Sequence, residues 1–300
     1  MQPMLVSIVI PARNESEDIA NTLEACLKIG YEPKEIIVVD DSTDDTPQIV
    51  QRYADQGVRL IHRDRNDDGC CGARNLGMQN ARGEIVVLFN ADNLPRPDFL
   101  KRLLPHYEAG ADYVVVRSAV INQNVLWGKY VAAAGKALGD SNPEWSEGFS
   151  CRRSAVESIG YIPGKFPVPF CRDFMLGAKL KEAGFNKRVD LDIPVEHVVP
   201  NSLAGFWHNR VWRGTFAAPY AYYFRDMRPA MITLREILKA GRVIVKYLLI
   251  LPALYSAFQV ARFAPRGWRE TPDMLGAAFI ADLATIIGGG KGLLRLWSAL

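Results

Sequence analysis

Between residues 4 and 117, short apolar runs alternate with amphipathic stretches at close, regular spacing. Met4 to Ile10, Glu35 to Val39, Val58 to His62, Ile85 to Phe89 and Asp112 to Arg117 are too short for helices and rich in β-branched residues, so they read as strands. Between them run helical patterns. One carries Ile19, Leu23 and Leu27 and ends at Gly30. A second carries Ile49, Val50 and Tyr53, stops at Gly57, and is expected to be capped by Ser42 or Thr43. A third holds Arg74-Asn75-Leu76-Gly77, and a fourth spans about residues 98–108. Strand and helix in this rhythm predict an α/β fold with a doubly wound, mostly parallel sheet.

The fourth strand ends abruptly in Asn90-Ala91-Asp92, followed by Asn93-Leu94-Pro95-Arg96-Pro97, which is not expected to continue a strand. Open α/β sheets bind ligands at the carboxyl ends of their strands. A carboxylate and a carboxamide two residues apart there offer oxygen ligands suited to Mg²⁺ or Mn²⁺, and such a cation can hold a diphosphate. The competing reading is that Asn90 and Asp92 only cap the turn.

After Arg117 the alternation loosens. Helices are expected near 125–137, 154–159 and 173–183, and extended segments at 145–152 and 189–197. Beyond Asn201 the composition changes. Ser202 to Phe224 interleaves Trp, Tyr and Phe with Arg, which suits a membrane interface. Val243 to Phe263 is nearly uncharged, and its core from Tyr247 to Ala261 is apolar but interrupted by Pro252. Since a span needs ~20 apolar residues, this candidate is marginal. Met274 to Gly290, weakened by Asp282, is a second candidate, and Gly292 to Leu300 reads as a separate short amphipathic end. Two domains follow, residues 1–200 and 201–300, the second interfacial or membrane-spanning. The alternative for it is a soluble helical subdomain.

The 36 Lys and Arg nearly balance the 33 Asp and Glu, so no nucleic acid is expected as a partner. The charge is unevenly spread, however. From Arg235 to Arg269 there are seven basic residues and one acidic residue, Glu236, which suggests an anionic surface. Five Cys fit neither a disulfide framework nor zinc spacing, and adjacent Cys70 and Cys71 read as ordinary helix-start residues. The N-terminus lacks a signal peptide's pattern, so the first domain is expected on the cytoplasmic side of a cell membrane. No oligomeric state follows from the sequence.

Four segments in order resemble glycosyltransferase family 2, the inverting nucleotide-sugar enzymes of GT-A, Rossmann-like fold. They are Val6-Ser-Ile-Val-Ile-Pro-Ala-Arg-Asn-Glu15, Ile36-Ile-Val-Val-Asp-Asp-Ser42, Gly72-Ala-Arg-Asn-Leu-Gly77 with Arg82-Gly83, and Asn90-Ala91-Asp92. The resemblance covers about residues 4–200. It implies that Pro11, Arg13, Glu15, Asp40, Ser42, Arg74, Asn90 and Ala91 bind the nucleotide, with Asp40 accepting from the base and Arg74 near the diphosphate. It implies that Asp92, with Asn90 and His197, holds Mg²⁺ or Mn²⁺. Asn90 stands where the family has an Asp, and a lone histidine such as His197 has a structural reading as well. Asp173 stands where relatives carry the base that takes the acceptor's proton, at a helix start where an ordinary cap is the alternative. Its neighbour Arg172 replaces the usual Glu.

Asp112-Tyr-Val-Val-Val-Arg-Ser118 is similar to a strand of dolichyl-phosphate mannose synthases whose Arg, here Arg117, meets a lipid phosphate. His208-Asn-Arg-Val-Trp-Arg-Gly214 faintly resembles the interfacial motif of cellulose and hyaluronan synthases, which would set Arg210, Trp212 and Arg213 against an acceptor or diphosphate. The function implied is transfer of one hexose, mannose first, from GDP-mannose or UDP-glucose to a hydroxyl of a lipid-linked glycan, as in glycolipid or N-glycan assembly. The alternatives are a polyprenyl- or dolichyl-phosphate hexose synthase and a non-catalytic sugar-nucleotide-binding membrane module.

Overall fold

The computed structural model describes residues 3–64, 69–139, 145–163 and 173–300, so Cys171 and Arg172 lie outside the described residues. Its elements run β1 (Val6–Ala12), α1 (Ile19–Leu27), β2 (Lys34–Asp40), α2 (Thr46–Gln51), β3 (Val58–His62), α3 (Gly69–Asn80), β4 (Ile85–Leu88) and β5 (Asn93–Pro95). They continue with α4 (Phe99–Glu108), β6 (Tyr113–Val120), α5 (Leu126–Leu138), β7 (Phe149–Arg152), α6 (Arg153–Ser158), α7 (Phe174–Glu182) and β8 (Lys187–His197). The chain divides into two compact units, Met1–Ala119 with Asn142–His197, and Val120–Ser141 with Val198–Leu300.

The sheet order is β3-β2-β1-β4-β7-β6-β8-β5. The strands β3, β2, β1 and β4 pair in parallel, as expected for an α/β fold. Beyond them the sheet is mixed, because β7 runs antiparallel to both β4 and β6. As expected, β4 does not continue past the turn, but residues 93–95 form a further short strand that the sequence did not indicate. After the turn that ends β4, the chain forms β5, antiparallel to β8, with Asn93 opposite His197. Pro95 is tolerated there because β5 stands at the sheet's edge, where a missing N–H costs no ladder bond.

Strand geometry sends alternate side chains to opposite faces, and the core divides accordingly. Ile8, Val38 and Val87 join Leu23 of α1, Val50 of α2 and Leu103 of α4 in one apolar cluster. Val9, Ile37, Val39 and Val86 join Met78 of α3, Val156 of α6 and Leu176 of α7 in the other. Both faces are thus covered, which explains why the strands read as continuous apolar runs. Gly77 lets α3 lie close on the sheet, since a Cβ there would stand 2.3 Å from Val9 Cγ1. Neither Ser42 nor Thr43 caps α2. The Thr46 N–H donates instead to Asp44 Oδ1 at 3.0 Å, because Ser42 is engaged with Asp40.

The second unit contains α5 and then α8 (Leu203–Gly214), α9 (Ala217–Arg225), α10 (Pro229–Leu248), α11 (Leu251–Ala261) and α12 (Thr271–Ala299). Small residues allow close packing here. A Cβ at Gly288 of α12 would stand 2.2 Å from the Val211 carbonyl oxygen and 2.8 Å from Gly214 Cα of α8. The segment 243–263 is not one straight helix, because α10 and α11 meet at a bend of 92°. Residues 292–299 are not a separate element either, since α12 runs unbroken to Ala299. With the turn from Gly267, α12 makes a 33-residue stretch whose most apolar 18-residue window has mean hydropathy 1.4, long and apolar enough to cross a membrane, with 39% of that window buried.

Candidate functional site: a carboxylate cluster and a guanidinium bridge

The parallel register brings the carboxyl ends of β1, β2 and β3 level, with Ala12 opposite Asp40 and Asp40 opposite His62. Asp40 is fully buried. Its Oδ1 accepts from Ser42 Oγ at 2.6 Å, and its Oδ2 lies 3.3 Å from His62 Nδ1. Asn14, at φ 54°, clasps the two loops together. Its N–H donates to Ser42 Oγ at 2.8 Å, and its Oδ1 accepts the Thr43 N–H at 2.9 Å. Asn tolerates that left-handed backbone better than most residues. Pro11 is half-buried on this edge and Arg13 is exposed.

Glu15 continues the same loop. Its N–H donates to Thr46 Oγ1 at 2.9 Å, and its carbonyl receives the first N–H groups of α1. Its carboxyl is pushed up to about 7 by burial and then by the nearby carboxylates of Asp92, Asp18 and Asp44. Asp92 is raised as well, first by burial, with His197 opposing and Glu147 and Asp18 reinforcing the rise. Asn93 orders this turn, donating from Nδ2 to Asp92 Oδ1 at 3.0 Å and accepting the Asn90 N–H at 2.8 Å. The Ala91 carbonyl accepts from buried Thr22 Oγ1 at 2.7 Å. Asp92, His197 and Glu15, named from the sequence, therefore share one neighbourhood. Glu147 and Asp18 join them and were not foreseen. Two half-buried carboxylates, Glu15 and Asp92, raised by burial and by neighbouring carboxylates and set beside an imidazole, have the donor chemistry of a hard divalent cation site.

Arg74 organises the second cluster. Only 3% exposed, it meets Asp173 Oδ1 through Nη1 and Asn90 Oδ1 through Nη2, each at 2.5 Å. Its guanidinium lies over the Trp145 ring, 5.1 Å from the centroid. The Cys71 thiol donates to the same Asp173 oxygen at 3.2 Å. That thiol is pushed up by its hydrogen bond with Cys70, by burial and by Asp173, so it acts as a neutral donor. Asp173 precedes α7 but makes no side-chain capping bond there, so the ordinary-cap reading does not describe it. The oxygen of Asn90 faces a guanidinium.

Arg117 is exposed on β6, beside Ser118, whose Oγ donates to Glu147. Arg210, Trp212 and Arg213 belong to α8 of the second unit. Arg210 stacks 5.1 Å from the Phe206 ring centroid, Trp212 is 47% exposed, and Arg213 is exposed.

Residues 7–158 match the glycosyl transferase family 2 profile. Over 112 residues the chain is 38% identical to the succinoglycan biosynthesis protein ExoO of Rhizobium meliloti, covering 37% of this chain and 32% of that protein. It is 28% identical over 178 residues to WfgD of Escherichia coli, a UDP-Glc:alpha-D-GlcNAc-diphosphoundecaprenol beta-1,3-glucosyltransferase, covering 59% of this chain and 69% of that one. Against the first curated relative, the chain thus spans about a third of the length. Among solved structures it is similar to the mannosyltransferase PcManGT of Pyrobaculum calidifontis in complex with GDP-Man and Mn²⁺, with TM-score 0.58 and 22% identity over 98% of this chain and 74% of that one. It is also similar to S. aureus TarS 1-349 with UDP-GlcNAc, with TM-score 0.55 and 16% identity over 96% and 91% of the two chains. With its family motifs in order at the strand ends and its sheet of GT-A type, the chain belongs to glycosyl transferase family 2.

Proposed function

We propose that the chain is a metal-dependent, inverting hexosyltransferase of the membrane surface, moving one sugar from a nucleoside diphosphate to a hydroxyl of a lipid-linked glycan. The observation that carries this reading is the adjacency of two clusters through Asn90 and Asp92, one of carboxylates and one built on Arg74 and Asp173. The first unit is the catalytic one and the second its membrane attachment, a refinement of a simple division at residue 200. GDP-mannose is the first donor to try and UDP-glucose the next. PcManGT binds the former, and the name of WfgD gives the latter together with a diphosphoundecaprenol acceptor.

In this mechanism Asp40 accepts from the base, and Pro11, Arg13, Glu15, Ser42 and Ala91 line the nucleoside and ribose. A bound Mg²⁺ or Mn²⁺, held by Asp92 with His197, would neutralise the charge gathering on the departing diphosphate, while the Asn90 oxygen, expected to join them, is engaged by Arg74. Asp173 takes the proton of the attacking hydroxyl on the face opposite the leaving group. Arg74 fixes the orientation of Asp173 and adds positive charge on the diphosphate side. Arg117, Arg210, Trp212 and Arg213 are assigned to the acceptor's phosphates or to lipid headgroups.

A second reading, a lipid phosphate as acceptor, draws on the exposure of Arg117. A phosphate oxyanion needs no base, so one variant separates the readings. Asp173→Asn should lower the rate of transfer to a hydroxyl acceptor by about 10²–10⁴ while the nucleotide still binds. Unchanged turnover with polyprenyl phosphate would move the assignment to the phosphate acceptor. Absence of any sugar-nucleotide turnover by the wild-type protein would reject both.

A further inference from the structure

We infer that the elbow between α10 and α11 is a membrane wedge, which inserts Leu248 to Leu251 into one leaflet of an anionic bilayer and returns the chain to the side it came from. The inference rests on the proposed membrane attachment of the second unit and goes further, making this segment re-entrant.

Leu248, Leu249, Ile250 and Leu251 are 74%, 62%, 58% and 75% exposed, four consecutive large aliphatic side chains at the apex of a 92° bend. Water penalises such a patch, and hydrocarbon does not. Part of the apex backbone is paired within the elbow. The Leu249 N–H donates to the Val245 carbonyl at 3.0 Å, and the Leu254 N–H to the Ile250 carbonyl at 2.8 Å. Ile250 holds the bend at φ 55°, an uncommon backbone for a β-branched residue.

Length and charge oppose a crossing. The 11 residues of α11 rise about 16 Å, roughly half the hydrocarbon thickness. The 20 residues of α10 are long enough, yet they carry Arg235, Glu236, Lys239, Arg242 and Lys246 along their length. From residue 237 to residue 269 there are six basic residues and no acidic one. Lys239, Lys246 and Arg266 pair with Glu236, Asp282 and Glu270, and the remaining surplus of Arg242, Arg262 and Arg269 favours a bilayer bearing negative headgroups. Tyr255 and Trp268, 66% and 65% exposed, are residue types that settle at the headgroup level.

The test uses the full chain with vesicles of phosphatidylglycerol and phosphatidylcholine, and with phosphatidylcholine alone. The wild type should float with the anionic vesicles. Leu249→Glu combined with Leu251→Glu should lower the bound fraction about tenfold or more, while its circular dichroism melt stays as in the wild type. Protease sites inserted after Asp226 and after Gly267 should be cut together, or protected together, in sealed proteoliposomes. A double variant that floats like the wild type overturns the wedge, as do sites cut from opposite sides. A wild type that is dimeric in lipid-free solution, and a double variant that is monomeric there, would assign the patch to a second copy instead. A wild type that ignores every vesicle rejects the underlying membrane attachment, a different failure from the loss of the wedge alone.

Discussion

Arg74 touches both halves of the proposed chemistry, because its two terminal nitrogens reach Asn90 and Asp173 at 2.5 Å each. A guanidinium presents such paired donors in a fixed plane, and an ammonium does not. Arg74→Lys should therefore cost about 3 kcal/mol of stability in a denaturant titration, since it strands a buried carboxylate and a carboxamide. It should lower kcat more than it alters KM for the donor; a variant with wild-type kcat would remove the positioning role. At this scale the sequence was informative about strand-end residues. Asp92 stands out because it follows an apolar run that ends in a turn, whereas Asp40 and His197 were named through the family resemblance. Glu147, Asp18 and Cys71 did not stand out. They reach Asp92 and Asp173 only through β7, α1 and α3, whose packing no local spacing encodes.

Among the elements, the first four core strands were legible because burial on both faces leaves unbroken apolar runs in the sequence. The extended segments beyond β4, at 112–117, 145–152 and 189–197, were legible too, as β6, β7 and β8, but their order and direction in the sheet were not. An antiparallel β7 between β4 and β6 carries the same apolar signal as a parallel strand, and three-residue β5 carries almost none. Gly77 illustrates a packing demand hidden in a motif. Gly77→Ala would set a methyl 2.3 Å from Val9 Cγ1, and it should destabilise the fold by about 1–3 kcal/mol in urea unfolding. Between α4 and β8, His106 Nε2 lies 2.9 Å from Asp190 Oδ2. Burial raises the Asp190 carboxyl, but His106 and the Asp192 N–H outweigh it and leave the group below its ordinary value. A depressed folded value makes this a stabilising contribution present above pH ~4 and lost as pH falls further. Asp190→Asn should flatten that acid limb of the stability curve, and an unaltered limb would assign the acid sensitivity elsewhere.

For the whole molecule, a net charge of +3 conceals a division between a mixed α/β unit and a helical unit with a basic, apolar surface. The composition change after Asn201 is visible in the sequence. That residues 120–141 belong with the later helices is not, because the apolar face of α5 does not name its partner; Ala133 and Tyr130 pack with Ala257, Ala261 and Met274. If the basic surface meets anionic lipid, vesicle binding should fall several-fold between about 0.1 M and 0.5 M salt, as the Debye length shrinks. Binding indifferent to salt would leave the apolar elbow as its sole source.

The central claim is that the carboxyl edge of the parallel strands is a metal-dependent nucleotide site. Its most direct measurement is thermal stabilisation of the detergent-solubilised chain by GDP and UDP, with and without Mn²⁺, alongside Asp92→Ala. A shift with at least one nucleotide that requires Mn²⁺ and disappears in the variant is expected. A wild type that no nucleotide stabilises, or a shift that survives the loss of Asp92, would contradict that claim.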